Sequence, residues 1–365
     1  MTVIALSGYY GFYNIGDEAI LEAIVNVLRY HRPDIDLVVF SADPHHTRRT
    51  YGVEAVSRTN LPAIIRVLRR ADLLISGGGG LLQDATGPRS IPYYLGIIKL
   101  AMLLHTKVAV YAQGLGPLNS GWSRFCVQKV LSGVDWLSVR DHASARLLAE
   151  LGVKRDITVT ADPVFYLDPV PRREVDTFWK AYGIKRPGKE LLVGLALRPY
   201  PGETLFDKKL LEIVSDGCRF LEKEYNARLI FLPYHLKKDL PLARDLASRS
   251  STGGIVIEES LSSRDILRVM GGLDLLIGMR LHSLIFASIC GVPFIALPYD
   301  PKVNAFLQYV EKPGLSLESL NLVQLQESIK SALDEGEEAR EYLRIKINAQ
   351  KKEVQGAAQK ILSLL

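Results

Sequence analysis

The sequence contains few cysteines and no arrangement of residues that is typical of a metal site. Its three cysteines, Cys126, Cys218 and Cys290, stand apart in apolar stretches without a Cys-x-x-Cys spacing. This pattern argues against a zinc knuckle and favours free thiols in a reducing compartment. No grouping of histidine, aspartate and glutamate has metal-ligand spacing, and no Gly-x-Ser-x-Gly elbow or Cys/His pair indicates a nucleophile. We therefore expect neither a bound metal nor nucleophilic catalysis.

Long apolar runs and a strong charge bias are also missing. The longest apolar tract, 91–112, carries charged residues, and the next, 283–299, is broken by Gly291, Pro293 and Pro298. Neither tract is typical of a membrane span. Residues 2–6 run straight into a glycine-rich turn, so we expect no secretory leader and a cytoplasmic protein. The net charge of +5 comes without a long basic run, which argues against a nucleic-acid partner.

The pattern that is present is an alternation of short apolar runs with longer helical segments. Strands are predicted at 3–6, 37–40, 73–76, 108–112, 137–139 and 157–160 in the first half, and at 192–197, 229–232, 254–257, 275–277 and 294–297 in the second. Apolar runs without strict polar alternation indicate strands buried on both faces of a parallel sheet. The sequence therefore predicts an α/β fold with two Rossmann-like doubly wound domains, which we expect to face each other across a cleft.

The domain boundary is predicted from composition. The segment from Asp168 to Lys189 is rich in proline and charge. We expect an N-terminal domain at 1–168, a linker at 169–189, a C-terminal domain at 190–320 and a helical tail at 321–365 that packs back on the N-terminal domain. Helix starts are also predicted: Asp141 as the N-cap of a helix over 142–151, and Ser262 with Asp265 as a capping box.

Ligands of doubly wound domains bind outside the carboxyl ends of the strands, so the residues that follow each strand are the candidates for function. In the first half these residues are mostly glycines, amides and carboxylates. The four glycines from Gly77 to Gly80 favour close approach of backbone amides to a ligand, although a tight turn explains them too. Asp17 opens a predicted helix after the segment Gly8–Gly16, where it serves either as a helix cap or as a catalytic group.

In the second half the residues at the strand ends are mostly cationic. Arg280, His282 and Ser283 precede an apolar helix, where a guanidinium, an imidazole and helix amides together suit a phosphate or carboxylate. Arg198 follows an earlier strand and Lys302 follows the next one. One domain thus suits a hydroxyl-rich sugar and the other a small polyanion, although Arg140 and Arg198 would also fit surface ion pairs.

Six motifs together resemble the polysaccharide pyruvyltransferase family, most closely its CsaB-type members. They are GYYGFYNIGDEAIL from Gly8, GGGGLLQD from Gly77, AQGLGP from Ala112, SVRD from Ser138, ADPVF from Ala161 and GMRLHSLIFA from Gly278. The resemblance extends to about residue 306. It implies a GT-B-like fold, phosphoenolpyruvate as the donor, and as acceptor the N-acetylmannosamine of an undecaprenyl-diphosphate-linked disaccharide used in cell-wall and S-layer anchoring polymers.

The resemblance also implies roles for residues of this chain. Arg280 and His282 correspond to the family's donor-binding and catalytic pair, and Arg140 and Lys302 to further donor contacts. From position alone we add Arg198 and Ser283 to the donor site and Asp17 as a base. The expected acceptor contacts are Asn14, Asp17, Gly78, Gly79 and Gln113. No cofactor is expected beyond phosphoenolpyruvate as co-substrate, and with a lipid-linked acceptor we expect peripheral contact with the inner face of a membrane.

Two other functions remain open from the sequence. A nucleotide-sugar-dependent glycosyltransferase of the GT-B class has the same architecture, and Glu258 or Glu259 would supply the carboxylate that a ribose needs. A sugar-binding protein without catalytic activity is favoured if the cationic side chains are all engaged in ion pairs. Pyruvyl transfer is the preferred interpretation, with His282 as the acid that protonates the donor.

Overall fold

The computed structural model describes residues 2–84, 90–185, 190–199 and 204–365, with only the backbone for 204–207. The chain divides into two compact units. Unit 1 consists of the residues up to Tyr166 together with Ala349–Leu365, and unit 2 is Leu167–Asn348. The part of the predicted linker that is described belongs to unit 2, and residues 186–189 of it lie outside the described residues.

Unit 1 is built on a parallel sheet of seven strands within the described residues, in the order β3-β2-β1-β4-β5-β6-β7. The strands are β1 (Val3–Ser7), β2 (Asp36–Ser41), β3 (Glu54–Ser57), β4 (Leu73–Gly77), β5 (Lys107–Gln113), β6 (Trp136–Val139) and β7 (Ile157–Val159). The connecting helices are α1 (Ile15–His31), α2 (Pro44–Tyr51), α3 (Leu61–Arg70), α4 (Ser90–Leu103), α5 (Gly121–Leu131) and α6 (His142–Glu150). The chain leaves the sheet through a 3₁₀ turn, Pro163–Tyr166.

Unit 2 repeats this plan with five parallel strands in the order β10-β9-β8-β11-β12. Its strands are β8 (Leu191–Ala196), β9 (Ala227–Phe231), β10 (Ile255–Val256), β11 (Leu275–Gly278) and β12 (Phe294–Ala296). Its helices are α7 (Arg172–Ala181), α8 (Thr204–Tyr225), α9 (Leu236–Ser248), α10 (Ser263–Met270), α11 (Leu281–Ile289), α12 (Pro301–Tyr309) and α13 (Leu322–Asp334). The predicted doubly wound α/β architecture with two parallel sheets is confirmed.

Burial of whole strands explains why apolar runs identified most of them. Every residue of β4 is buried, and in β2 and β5 only the first residue is not. Helices on both faces of a parallel sheet remove both sides of each strand from water, which favours continuous apolar sequence. Strand β3 was not predicted, because only Ala55 among its four residues is buried and no apolar run marks it.

Helix starts follow the predicted capping chemistry. Asp141 accepts a hydrogen bond from the Ser144 amide at 2.7 Å at the start of α6. Ser262 and Asp265 form the reciprocal capping box of α10. Each satisfies backbone N–H groups that have no partner inside the helix. Both predictions are confirmed.

The last helix, α14 (Gly336–Leu362), begins in unit 2, and its residues from Ala349 onward belong to unit 1. There the Tyr111 hydroxyl donates to the Val354 carbonyl at 3.5 Å, and the Lys107 ammonium donates to the carbonyl of Leu364. Residues 321–348 of the predicted tail belong to unit 2. Among the described helices none has the length and apolar character needed to cross a membrane.

Candidate active site

The switch point of unit 1 lies between β1 and β4, where the strand order changes direction. Ligands of open α/β sheets bind in the crevice at such a point, outside the carboxyl ends of the strands. The loop 8–14 follows β1 and leads into α1, and the glycines 77–80 end β4 and continue beyond it. The predicted acceptor residues Asn14, Asp17, Gly78 and Gly79 therefore lie on two neighbouring connections.

Gly78 and Gly79 bring the β4 loop against the first turns of α1. Both have φ of +75°, a region that side chains other than glycine rarely adopt. A Cβ on Gly78 would lie 2.0 Å from Cγ2 of Ile20, and one on Gly79 would lie 2.7 Å from Oδ1 of Asp17. The turn thus needs glycine for its conformation and its packing, and it sets the Asp17 carboxylate directly beside the backbone of Gly79.

Gln113 holds this glycine turn from the next strand. Its side chain is buried at the end of β5, and Nε2 donates to the carbonyls of Gly79 and Gly114 at 3.0 and 2.9 Å. The Gly114 amide also donates to Gly79, at 2.8 Å. Both hydrogens of the Gln113 amide nitrogen are therefore directed at backbone carbonyls, and this nitrogen positions the turn.

The start of α1 separates the two roles that the sequence left open for Asp17. Asn14 is the N-cap, and its side-chain oxygen accepts from the Gly16 amide at 3.1 Å. Glu18 is buried and accepts from the Gly11 amide at 2.8 Å and from the Tyr51 hydroxyl at 2.9 Å. The capping is done by Asn14 and the loop is held by Glu18, which leaves Asp17 as the half-buried carboxylate beside the glycine turn.

Two tyrosines, Tyr9 and Tyr10, lie near enough to Asp17 for its charge to act on their hydroxyl groups. Tyr10 is buried and its hydroxyl donates to the Gly77 carbonyl at 2.7 Å. Burial, followed by the negative charge of Asp17, raises the pKa of Tyr10 well above its ordinary value and raises that of Tyr9 as well. Both phenols therefore stay protonated at physiological pH, as hydrogen-bond donors near Asp17.

Arg140 follows β6 in unit 1 and is a buried cation. Only 8% of its side chain is exposed, and Nη1 lies 3.3 Å from Oδ2 of Asp162, with Asp141 further away at 3.9 Å. A Cβ on Gly114 would lie 2.8 Å from the Arg140 guanidinium, so a side chain at 114 would displace Arg140. The surface ion pair that the sequence left open for Arg140 is therefore wrong, because the pair is buried and its main partner is Asp162.

A second arginine of unit 1 was missed in the sequence. Arg58 directly follows β3, and its guanidinium carbon lies 4.1 Å from the ring centroid of Tyr93, 4.9 Å from Phe12 and 5.5 Å from Tyr94. Phe12 stacks on Tyr9 at 4.0 Å between centroids. These contacts connect Arg58 through aromatic rings to the loop before Asp17. Had the sequence indicated β3, Arg58 would have been recognised as a residue at a strand end.

The switch point of unit 2 lies between β8 and β11. Arg198 follows β8 and Arg280 follows β11, while Lys302 follows β12, the next strand in the sheet. The three predicted cations therefore follow adjacent strands. Arg280 is the N-cap residue of α11, and no side chain caps this helix through a hydrogen bond. The backbone amides at a helix start favour an anion.

Arg280 is fixed by a carboxylate that the sequence analysis did not identify. Its Nε donates to Oδ2 of Asp239 at 3.1 Å, and Nη2 donates to Oδ1. Asp239 is completely buried on α9, whereas 19% of the Arg280 side chain is exposed. Asp239 also accepts from the His235 amide at 2.9 Å. One edge of the guanidinium is therefore occupied by the protein, and the side chain is held in a single orientation.

His282 and Ser283 lie in the first turn of α11 with different exposure. The His282 side chain is half-buried at the helix start. Ser283 is completely buried, and its hydroxyl donates to the Arg280 carbonyl at 2.6 Å. The Ser283 hydroxyl therefore holds the helix start, and the donor contact of Ser283 stays a prediction.

Arg198 and Lys302 both lie close to one aromatic ring. The Arg198 guanidinium carbon is 4.5 Å from the Tyr299 centroid, and the Lys302 ammonium is 5.8 Å from it. Lys302 also lies 3.2 Å from Asp300, whose side chain caps α12. The structure brings Arg198, predicted from position, close to Lys302, predicted from the resemblance, and adds the Tyr299 ring that both approach.

A family model described as polysaccharide pyruvyl transferase matches residues 14–301 of the chain. The chain belongs to the polysaccharide pyruvyl transferase family. The match contains every predicted site residue except Lys302, which lies one position beyond it. The family membership makes the protein an enzyme that transfers pyruvyl groups to polysaccharide.

A curated relative aligns with most of the chain. The amylovoran biosynthesis protein AmsJ of Erwinia amylovora is 20% identical, and the alignment covers 88% of this chain and 89% of AmsJ.

Solved structures resemble the pyruvyltransferase in fold. The UDP-GlcNAc 2-epimerase of Methanocaldococcus jannaschii has a TM-score of 0.65 at 15% identity, covering 92% of this chain and 94% of the other. Anabaena HepE in complex with UDP-glucose has a TM-score of 0.66 at 12% identity, covering 100% of this chain and 99% of the other. A glycosyltransferase of Rickettsia africae has a TM-score of 0.64 at 11% identity, covering 99% of this chain and 98% of the other. The predicted GT-B-like fold is confirmed.

The carboxylates required by the glycosyltransferase alternative are engaged elsewhere in unit 2. Glu258 accepts two hydrogen bonds from Arg244, at 2.8 and 2.7 Å, and Glu259 accepts from the Tyr182 hydroxyl at 2.6 Å. In the described ranges of the pyruvyltransferase, no group of three or more His, Cys, Asp or Glu side chains is arranged to hold a metal ion.

Proposed function

We propose that this pyruvyltransferase takes phosphoenolpyruvate as its donor and forms a cyclic ketal on a sugar of a lipid-linked saccharide, with release of phosphate. The observation that supports the donor is the cationic switch point of unit 2. Arg198, Arg280 and Lys302 follow adjacent strands, and α11 starts there without a side-chain cap. Phosphoenolpyruvate carries a carboxylate and a phosphate close together, and fixed cations with helix amides bind such groups.

The proposed chemistry starts with His282. The imidazole gives a proton to the methylene carbon of the donor, and positive charge develops on the neighbouring carbon that carries the carboxylate and the phosphate. A sugar hydroxyl attacks that carbon and loses its proton to a base. A second hydroxyl of the same sugar then attacks the same carbon and closes the ketal. The carbon–oxygen bond to phosphate breaks, and the proton of this hydroxyl leaves with the phosphate. Imidazole is suited to the first step because it titrates near neutral pH.

Unit 1 supplies the acceptor side of the proposal. Asp17 stands beside Gly79, and Asn14 caps its helix, so we assign the Asp17 carboxylate as the base that accepts the proton of an attacking hydroxyl. The phenols of Tyr9 and Tyr10 lie near it. We propose N-acetylmannosamine of an undecaprenyl-diphosphate-linked disaccharide as the acceptor and the cytoplasmic face of a membrane as the place of reaction. The scheme uses no cofactor beyond the co-substrate.

The test is an incubation of the protein with phosphoenolpyruvate and a panel of lipid-linked and soluble saccharides. The expected result is phosphate release together with a mass gain of one pyruvyl ketal in a single acceptor class. Phosphate release without a pyruvylated acceptor, or no reaction with any saccharide, would contradict the proposal.

A binding experiment separates the donor from a nucleotide sugar. Ligands that bind the native state raise its melting temperature by mass action. We expect phosphoenolpyruvate, alone or with acceptor present, to raise the melting temperature. A shift with UDP-sugars and none with phosphoenolpyruvate would favour the glycosyltransferase alternative.

A further inference from the structure

An apolar groove crosses the surface of unit 1 between α3 and α4. Its volume is about 660 Å³, within the range of about 300–1,000 Å³ that is usual for small-molecule sites. The apolar lining comes from Leu61, Ile64, Tyr93, Ile97, Leu100 and Leu103. From Tyr93 to Leu103 the groove follows α4 over about 15 Å at the rise of a helix. An elongated apolar groove of this size fits a segment of hydrocarbon chain.

The end of the groove at the carboxyl edge of the sheet is cationic. Arg58 lines it there, and Lys99 lines it further along α4. Arg58 has no carboxylate within ion-pair distance in the part of the chain that the structure describes. Its Nη1 is buried and makes no hydrogen bond to any described residue. A guanidinium placed in this way is suited to a phosphate oxygen.

The same end of the groove leads to the candidate acceptor site. The Arg58 guanidinium contacts Phe12, which stacks on Tyr9, whose pKa is affected by Asp17. A ligand with its hydrocarbon along α4 and its phosphate at Arg58 would therefore carry its remaining part toward Asp17. A membrane phospholipid has only a small head group beyond its phosphate, whereas a lipid-linked saccharide has its sugars to place there.

The helices around the groove share an unusual charge pattern. The segments α3, α4 and α5 contain no aspartate or glutamate, and their charged side chains are Arg66, Arg69, Arg70, Lys99, Arg124 and Lys129. Large apolar side chains are exposed on them: Leu61, Leu103, Trp122 and Phe125 are each more than half exposed. Basic helices with exposed aromatic and aliphatic side chains are typical of surfaces that contact anionic membranes.

We propose that the groove between α3 and α4 binds the isoprenoid chain of the acceptor's lipid carrier, with the carrier's phosphate at Arg58. This proposal rests on the proposed function, which names a lipid-linked saccharide as the acceptor. It adds the site at which the lipid carrier binds. The chain contributes affinity through burial of its apolar surface, and Arg58 fixes how far the head group reaches.

Gly96 allows the groove to be filled without disturbing the fold. It lines the groove on α4, and a Cβ added there meets no atom within 4 Å. Gly356 on α14 is also exposed, and a Cβ added there meets no atom within 4 Å. It does not line the groove. Leucine is a better helix former than glycine at either position. Gly96→Leu and Gly356→Leu are therefore a matched variant and control.

The first measurement is direct binding of geranylgeranyl diphosphate by calorimetry, which needs no turnover. We expect Gly96→Leu to bind it at least about tenfold more weakly than the parent, a loss that about two buried methylene groups account for. Gly356→Leu should bind it like the parent. Arg58→Gln should weaken binding of geranylgeranyl diphosphate but not of geranylgeraniol. Equal affinity of Gly96→Leu and the parent would overturn the proposal.

The second measurement compares acceptors that carry a long isoprenoid chain with water-soluble analogues that carry a short one. Gly96→Leu should raise KM for the long-chain acceptor only and leave kcat unchanged. If binding behaves as expected but no acceptor is pyruvylated, the proposed function fails while the groove stands. If Gly96→Leu weakens binding to phosphatidylglycerol vesicles but changes neither the diphosphate affinity nor the acceptor KM, the groove takes membrane lipid and the proposal is wrong.

Discussion

The switch points of the two units have the same topology and opposite chemistry. In unit 1 the helix after β1 has a side-chain cap from Asn14 and two carboxylates, Asp17 and Glu18, in its first turn. In unit 2 the helix after β11 has no side-chain cap and no acidic residue in its first turn, and it starts beside Arg280. Carboxylates neutralise the positive end of a helix, whereas an uncapped start attracts anions. The same arrangement of strands thus favours a neutral ligand in one unit and an anionic one in the other.

Each unit also fixes an arginine with a buried carboxylate, but with a different result. Arg140 is 8% exposed beside Asp162, and Arg280 is 19% exposed beside Asp239. A buried cation of this kind requires its partner, since an unpaired charge away from water is costly. Arg280 keeps part of its guanidinium accessible, so it suits direct contact with a donor. Arg140 is better placed to hold the connections around Gly114.

The largest expected effect is the loss of the acid in unit 2. His282→Ala should lower kcat by about 10²–10⁴-fold, the usual contribution of a general acid, while phosphoenolpyruvate still binds. His282→Gln should be nearly as slow, because an amide cannot donate the proton. His142→Gln, at an exposed histidine at the start of α6, is the control and should behave like the parent. Near-parent kcat in His282→Gln would remove the acid role and direct attention to Lys302.

The next largest effect is expected from displacing the Asp17 carboxylate in unit 1. Gly79→Ala places a Cβ 2.7 Å from Oδ1 of Asp17 and imposes a φ of +75° on alanine. We expect kcat/KM for the acceptor to fall about a hundredfold, as for a misplacement of about 1 Å, with donor affinity unchanged. Gly80→Ala is the matched control, since a Cβ there meets nothing within 4 Å. Equal acceptor kinetics in the two variants would show that Asp17 is not needed at this position.

A smaller effect is expected when residue 280 keeps its positive charge but loses the forked guanidinium. Arg280→Lys removes the fork that Asp239 orients, so the donor KM should rise about tenfold or more. The control is Arg264→Lys, at an exposed arginine of unit 2 paired with Glu174, which should leave the donor KM unchanged. Steady-state kinetics with phosphoenolpyruvate varied measures both. Unchanged KM in a folded Arg280→Lys protein would place the donor elsewhere.

The smallest effect concerns the cap that distinguishes the two helix starts. Asn14→Ala should lower the free energy of unfolding by about 1 kcal/mol, because the Gly16 amide loses its side-chain acceptor. Urea denaturation measures the change. If Asn14 also contacts the acceptor, as predicted from the sequence, the acceptor KM rises as well. A rise in KM without a loss of stability would mean that the cap contributes little.

Much of this protein was predictable because its signals are local. The glycine turn at 77–80, the caps Asp141 and Ser262 and the cations after β8, β11 and β12 could all be placed from neighbouring residues in the chain. Strand β3 could not, since its residues 54–57 carry no apolar run. With that strand missing, nothing marked Arg58 as a residue at a strand end, and the groove that it lines was missed too.

The sequence by itself determined which chemical groups stand at the ends of the strands, since strands, turns and caps depend on residues a few positions apart. Only the tertiary structure decided what each group touches. Asp239 holds Arg280 across 41 positions, and Asp162 holds Arg140 across 22. Asp17 comes to Gly79 because β1 and β4 are neighbours in the sheet. Such pairs form only when packing of the sheet brings distant segments together, and no local pattern in the chain encodes them.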